Sequence, residues 1–93
     1  ENNLSTAHCY PNPYKPSLGH IKITFSHLTA HTKVRVFDIA GKLVYKNEVD
    51  TPNGELEWDA SDTDGDPLAS GLYIYIITDN ENHKKTGKVA IIR

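Results

Sequence analysis

Val34-Arg35-Val36-Phe37-Asp38-Ile39-Ala40-Gly41-Lys42-Leu43-Val44 is the stretch that decides the fold. Val34 and Val36 alternate with charged neighbours, the period of a strand that buries one face. Asp38 can accept bonds from the backbone ahead of it and Gly41 can take a positive φ, so the chain should fold back through a tight hairpin into a second strand over 42–49. The same period recurs on both sides. Upstream, Ile21, Ile23 and Phe25 alternate with Lys22, Thr24 and Ser26. Downstream, Leu56 and Trp58 share one face, and Leu72-Tyr73-Ile74-Tyr75-Ile76-Ile77 is apolar on both faces, as in a central or covered strand. Val89 and Ile91 alternate with Lys88 and Ala90 in a last strand over 84–93. Turns at 51–54 and 79–82 and a polar loop over 60–70 separate these runs. They make six strands, with a seventh expected from the proline segment Tyr10–Pro16, whose fixed φ angles give a stiff extended entry suited to a sheet edge. No window carries an amphipathic helix, so the chain is expected to be an all-β antiparallel sandwich of about seven strands.

Ninety-three residues support one hydrophobic core. A domain of this size buries only about 60–65% of its unfolded surface, which leaves little stability for a strained, desolvated catalytic centre. Hydrophobic residues make up 38% and charged residues 24%, the balance of a chain that folds. Ten Lys and Arg against twelve Asp and Glu give a net charge of -2, which excludes the positive field that nucleic acid requires. No apolar run approaches the roughly 20 residues of a membrane-spanning helix. The chain opens at Glu1 and contains no Met, so it is expected to be a piece of a larger protein. Residues 1–9 lack an apolar period and are expected to be a linker, with the domain over 10–93. Cys9 has no partner for an internal disulfide and is expected to be an inert thiol beside that linker. The isolated domain is expected to be monomeric.

Three groups of residues are candidates for more than folding. Asp62-Thr63-Asp64-Gly65-Asp66 has the alternating oxygens of a calcium loop, but a Tyr stands where the bidentate Glu of such a loop belongs, so a plain turn competes with a weak calcium site at Asp62, Asp64 and Asp66. Bound calcium would raise thermal stability; no other cofactor is expected. Tyr73 and Tyr75 alternate with aliphatic residues, so packing within the sandwich or beneath a neighbouring domain competes with an exposed interaction face able to stack on sugars or a partner domain. Lys84, Lys85, Lys88 and Arg93 give the last strand a positive run around Gly87, which also deters edge-to-edge pairing. The five histidines show no metal-ligand spacing and are expected to be solvated. No Gly-x-Ser-x-Gly elbow, His-Glu-x-x-His or phosphate-cradling loop is present, so the chain is not expected to be an enzyme.

Tyr10-Pro11-Asn12-Pro13, Val36 to Val44, Trp58-Asp59, Asp64-Gly65, Leu68-Ala69-Ser70-Gly71-Leu72-Tyr73 and Gly87-Lys88 occur in an order that resembles two related bacterial families. One is the C-terminal sorting domain of the type IX (Por) secretion system; the other is the immunoglobulin-like domain of the flagellar hook-capping protein. One departure is Ala60, where Gly usually follows Trp-Asp. The resemblance implies an immunoglobulin-like, fibronectin-III-like sandwich in which Pro11, Asn12, Pro13, Asp38, Gly41, Trp58 and Gly71 are structural, Gly71 relieving crowding before the central strand. It implies a non-catalytic C-terminal module of a larger protein that is secreted or held at the cell surface by way of the periplasm. Its partners would be the secretion machinery or neighbouring domains of the parent, with the signal in Lys84, Lys85, Gly87, Lys88 and Arg93. The competing implication is a structural or adhesive module that packs on a neighbouring domain or binds polysaccharide or protein.

Overall fold

The computed structural model describes residues 7–29, 31–50 and 54–93. Among them seven strands form two sheets: β1 (His8–Tyr10), β2 (Ile23–Ser26), β3 (His31–Phe37), β4 (Leu43–Asp50), β5 (Leu56–Trp58), β6 (Gly71–Asp79) and β7 (Lys84–Ile91). A three-stranded sheet of order β1-β2-β5 faces a four-stranded sheet of order β4-β3-β6-β7. All strand pairs are antiparallel. The expected sandwich is present, and its only helical segment among the described residues is a 3-10 turn over Pro16–Leu18.

Ile23 and Phe25 of β2, Val34 and Val36 of β3, Ile77 of β6 and Val89 of β7 are fully buried between the sheets. Aromatic rings join the two layers. Trp58 stacks on Tyr45 of β4 at 5.0 Å and on Phe25 at 6.2 Å, and Phe25 meets the edge of Tyr75 at 5.3 Å. Aromatic pairs of this kind add about 0.5–1.5 kcal/mol each beyond the area they bury. The Trp58 indole also donates to the Ser61 carbonyl at 2.8 Å, so the core ring pins the loop after β5. A bulge between Val36 and Phe37 sets Val36 opposite Tyr45 and Phe37 opposite Leu43, which turns Tyr45 inward and Leu43 outward.

The first two segments differ from the sequence expectation. Ile21 lies ahead of β2 and is 78% exposed, so the period of two begins one alternation later than its apolar pattern suggests. Thr24 and Ser26 are buried on the other face of β2, where the stacked rings of His8 and His27 both reach the Ser26 hydroxyl. The expected linker over 1–9 ends too late: Ala7 and Cys9 are buried, and His8–Tyr10 pairs with β2. Residues 1–6 of that linker and 51–53 of the expected second turn lie outside the described residues. The proline segment is not one extended strand: β1 ends at Tyr10, Tyr14 makes an isolated bridge to Ile91, and Pro16–Leu18 is the 3-10 turn; the Tyr10–Pro11 and Asn12–Pro13 peptide bonds are cis.

Three connections share one device. Asp38 accepts from the backbone N–H groups of Ala40 and Lys42, Asp62 from those of Asp64 and Asp66, and Asp79 from those of Glu81 and His83. In each, the aspartate N–H also donates to the carbonyl four residues on, at 2.9–3.2 Å. The residue at the fourth place takes a left-handed φ: Gly41 at 88°, Gly65 at 89° and Asn82 at 65°. A short carboxylate that bonds its own turn, followed by Gly or Asn where φ is positive, closes a hairpin with little strain.

The Asp79 side chain is enclosed, only 2% exposed. Burial alone raises its carboxyl pKa, but hydrogen bonds from the His83 ring and backbone, from Glu81 and from Thr29 outweigh that and hold it at about 2. The folded carboxyl therefore releases its proton more readily than the unfolded one, and the resulting stability is present above about pH 4 and lost as pH falls toward 2. We expect this to be worth on the order of 2 kcal/mol. Urea titrations across this range should show the loss, and Asp79→Asn should flatten it; an unchanged slope in that variant would contradict the assignment.

Candidate functional site

β7 is one of the two outer strands of the larger sheet, and its residues divide between two faces and an edge. Val89 and Ile91 point into the core. By the same alternation Lys84, Thr86, Lys88 and Ala90 point outward, while Lys85 and Gly87 lie on the inner side. The positive run of the sequence is thus not one patch.

The free edge of β7 is partly closed by the N-terminal segment. The Asn12 side chain donates to the Lys88 carbonyl at 2.8 Å and accepts from the Ala90 N–H at 3.1 Å, in the manner of a strand backbone. Tyr14 continues the pairing, donating to the Ala90 carbonyl at 2.7 Å and accepting from the Ile92 N–H at 2.8 Å. The Tyr10 to Pro16 stretch therefore covers β7 from Lys88 onward. Arg93 fastens the end: its N–H donates to the Ser70 hydroxyl at 2.8 Å, and its guanidinium donates to the carbonyls of Leu68 and Ala60. Ala60 is fully buried with φ at 60°, a left-handed geometry that Gly adopts more readily.

Gly87 is tied to the core. A methyl group at its Cα would run into Cζ and the hydroxyl of Tyr75, so the absent side chain makes the space in which that ring lies. Gly71, by contrast, has ordinary room and no crowding to relieve. Tyr73 and Tyr75 are 7% and 5% exposed, so they pack within the sandwich and form no aromatic interaction face. Tyr73 donates to the Ala69 carbonyl at 2.8 Å, while Tyr75 shares a hydrogen bond with Cys9. Burial is the main cause that raises the Cys9 thiol to about 11 and the Tyr75 hydroxyl to about 12. The ring beside an open groove is Tyr45, which the sequence did not single out. That groove, about 440 Å³, is also lined by Ile21, Lys22, Glu57, Trp58 and Asp59, and the Lys22–Glu57 ion pair lies beside it.

Asp62, Asp64 and Asp66 fall in the second of the three hairpin turns, and one Asp62 oxygen already takes two backbone N–H groups. Among the described residues no three His, Cys, Asp or Glu side chains are grouped to hold a metal ion. The histidines are less solvated than expected. His83 lies 2.7 Å from Asp79, His20 accepts from the Lys15 N–H at 2.9 Å, and His31 sits between Asp50 at 2.8 Å and Glu48 at 3.3 Å, with its pKa raised mainly by the Asp50 contact.

Residues 8–92 match the family model of the secretion system C-terminal sorting domain. No curated protein sequence matches the chain. Among solved structures, it is similar to part of PorZ, a surface component of the type IX secretion system of Porphyromonas gingivalis. That match has a TM-score of 0.81 and 32% identity over 98% of this chain and 12% of PorZ. PorU from the same organism aligns at a TM-score of 0.69 and 22% identity, over 92% of this chain and 9% of PorU. A Bacteroides vulgatus protein with an immunoglobulin-like β-sandwich aligns at 0.63 and 17% identity, over 90% of this chain and 81% of its own. The last two show the fold alone, and the fold is the immunoglobulin-like sandwich.

Two outcomes follow from the packing around Tyr75. Gly87→Ala should lower stability by about 1–3 kcal/mol, as overpacking does, and combining it with Tyr75→Val should cost less than the sum of the single changes; additive losses in urea unfolding would contradict the contact. Cys9 should resist iodoacetamide at pH 8 in the folded chain and react once urea unfolds it, with equal rates in both states as the contrary result.

Proposed function

The chain belongs to the secretion system C-terminal sorting domain family, and on that premise we propose that the type IX machinery reads its signal from folded β7 rather than from a loose tail. Members of this family are non-catalytic modules that direct secretion of the larger proteins carrying them, by way of the periplasm to the surface or the medium. The observation that carries the finer reading is the way β7 is held. Its end is fastened by Arg93, its edge is covered from Lys88 onward, and Gly87 locks it over Tyr75. Held in this way, Lys84 and Lys88 project outward at fixed spacing, with no ion-pair partner among the described residues. Lys84 and Lys88 are then the side chains a partner touches, while Gly87 and Arg93 set the strand's position and Lys85 lies toward the inner side. Asp38, Gly41 and Trp58 serve the scaffold, and Asn12 holds the covered edge between Pro11 and Pro13.

The test is a fusion of residues 1–93 to a periplasmic reporter in a host with a type IX system. The intact module should bring the reporter to the surface or medium. Lys84→Glu with Lys88→Glu should reduce export while leaving stability within about 1 kcal/mol, as surface changes do. Wild-type fusion retained in the periplasm would contradict the sorting role, and full export of the double variant would contradict recognition through these lysines.

A further inference from the structure

The outward face of the four-stranded sheet is built in registered rows. Phe37 of β3 lies between Leu43 of β4 and Ile74 of β6, and Ile74 lies opposite Lys88. In the next row Arg35 lies between Lys46 and Ile76, with Thr86 beyond. In the third, Lys33 lies between Glu48 and Thr78, with Lys84 beyond. Leu72 opposite Ala90 extends the apolar side chains at one end. Leu43 and Leu72 remain 43% and 44% exposed, and Phe37, Ile74 and Ile76 are only half-buried.

Charge is distributed just as unevenly. Lys33, Arg35, Lys46, Lys84 and Lys88 stand in or beside the apolar strip, and none has an ion-pair partner among the described residues. The carboxylate in these rows is Glu48, which already lies 3.3 Å from His31. Arg35, in the second row, has an Nε that is buried without a hydrogen-bond acceptor. Yet the whole chain carries a net charge of -2, so this face is a local concentration of positive charge on an acidic domain. An apolar centre with unpaired cations around it has the anatomy of a protein interface, and Arg is the residue type most suited to grip a carboxylate.

We propose that this face docks an acidic protein surface of the export route, seating aliphatic side chains on Ile74 and Ile76 and carboxylates on Arg35 and the surrounding lysines. The proposal rests on the sorting reading above and extends it from β7 across β6 and β3. Four strands at about 4.8 Å spacing and eight residues at about 3.3 Å rise present about 500 Å². That is the scale of a transient contact rather than a permanent one, suited to a partner that is bound and released during transport. The apolar side chains lie flat in sheet rows rather than on a protruding loop or helix, which favours a protein surface over insertion into lipid.

The reporter fusion of residues 1–93 tests this with Ile76→Glu, Thr86→Glu, Arg35→Glu and Arg35→Lys, beside Ile21→Glu as an exposed control outside the face. Thermal melting of each purified chain identifies variants that fail to fold, and Thr86→Glu, at an exposed position, stands in for Ile76→Glu if that variant does. We expect Arg35→Glu and Ile76→Glu or its stand-in to lower surface reporter at least tenfold, Arg35→Lys to retain most of it, and Ile21→Glu to match wild type. Because the reporter lacks any parent domain, such a loss cannot arise from packing within the parent. Export of wild type and all face variants alike would overturn the docking face and leave the sorting role standing; wild-type fusion retained in the periplasm would overturn both. Phosphatidylglycerol vesicles that pellet the wild-type chain but not Arg35→Glu would make the face a lipid site and overturn the protein partner.

Discussion

The ring series Tyr45, Trp58, Phe25 and Tyr75 is the interaction on which the rest of the molecule depends. β1 and β5 have only three residues each, too few ladder bonds to hold a sheet alone. Their layer is held by what it buries, and the rings bury the most while crossing from one sheet to the other. The consequences reach the C-terminus by two routes. Trp58 bonds Ser61 in the loop that receives the Arg93 guanidinium, and Tyr75 fills the space left open at Gly87. The strand that carries the proposed signal is therefore positioned by the core at its middle and at its end.

Strands β2–β7 and the hairpins at Asp38 and Asp79 are legible because period-two alternation and a turn-closing Asp are local signals. Asp38 with Gly41 announces its hairpin, and the same carboxylate device accounts for Asp62. What escaped the sequence was set by tertiary contacts. A run apolar on both faces does not say which alternate set is buried; the register of β6 puts Tyr73 and Tyr75 in the core and Leu72, Ile74 and Ile76 on the outward face. Ile21 matched the period, yet β2 begins at Ile23. Cys9 looked like linker because its partners, Phe25 in register and Tyr75 by hydrogen bond, lie far along the chain.

Of the proposed site, the composition is legible in the sequence and the geometry is not. Lys84, Lys85, Lys88 and Arg93 share a sign, but strand alternation sends Lys84 and Lys88 outward, and Arg93 turns back to clasp the carbonyls of Leu68 and Ala60. Arg35 gave no signal, since one basic residue between two valines is ordinary strand pattern. Its place in the outward rows emerges only once the strands are set in register.

The proposed sorting signal belongs to a folded surface. The most direct measurement is export of the reporter fusion carrying Trp58→Ala, which leaves every β7 residue in place but removes a core ring worth about 3–5 kcal/mol. A surface that depends on the fold predicts that the reporter stays in the periplasm while the purified variant melts well below wild type. Export at the wild-type level from a chain shown to be unfolded would mean that the machinery reads a linear tail, and would contradict recognition of a folded β7.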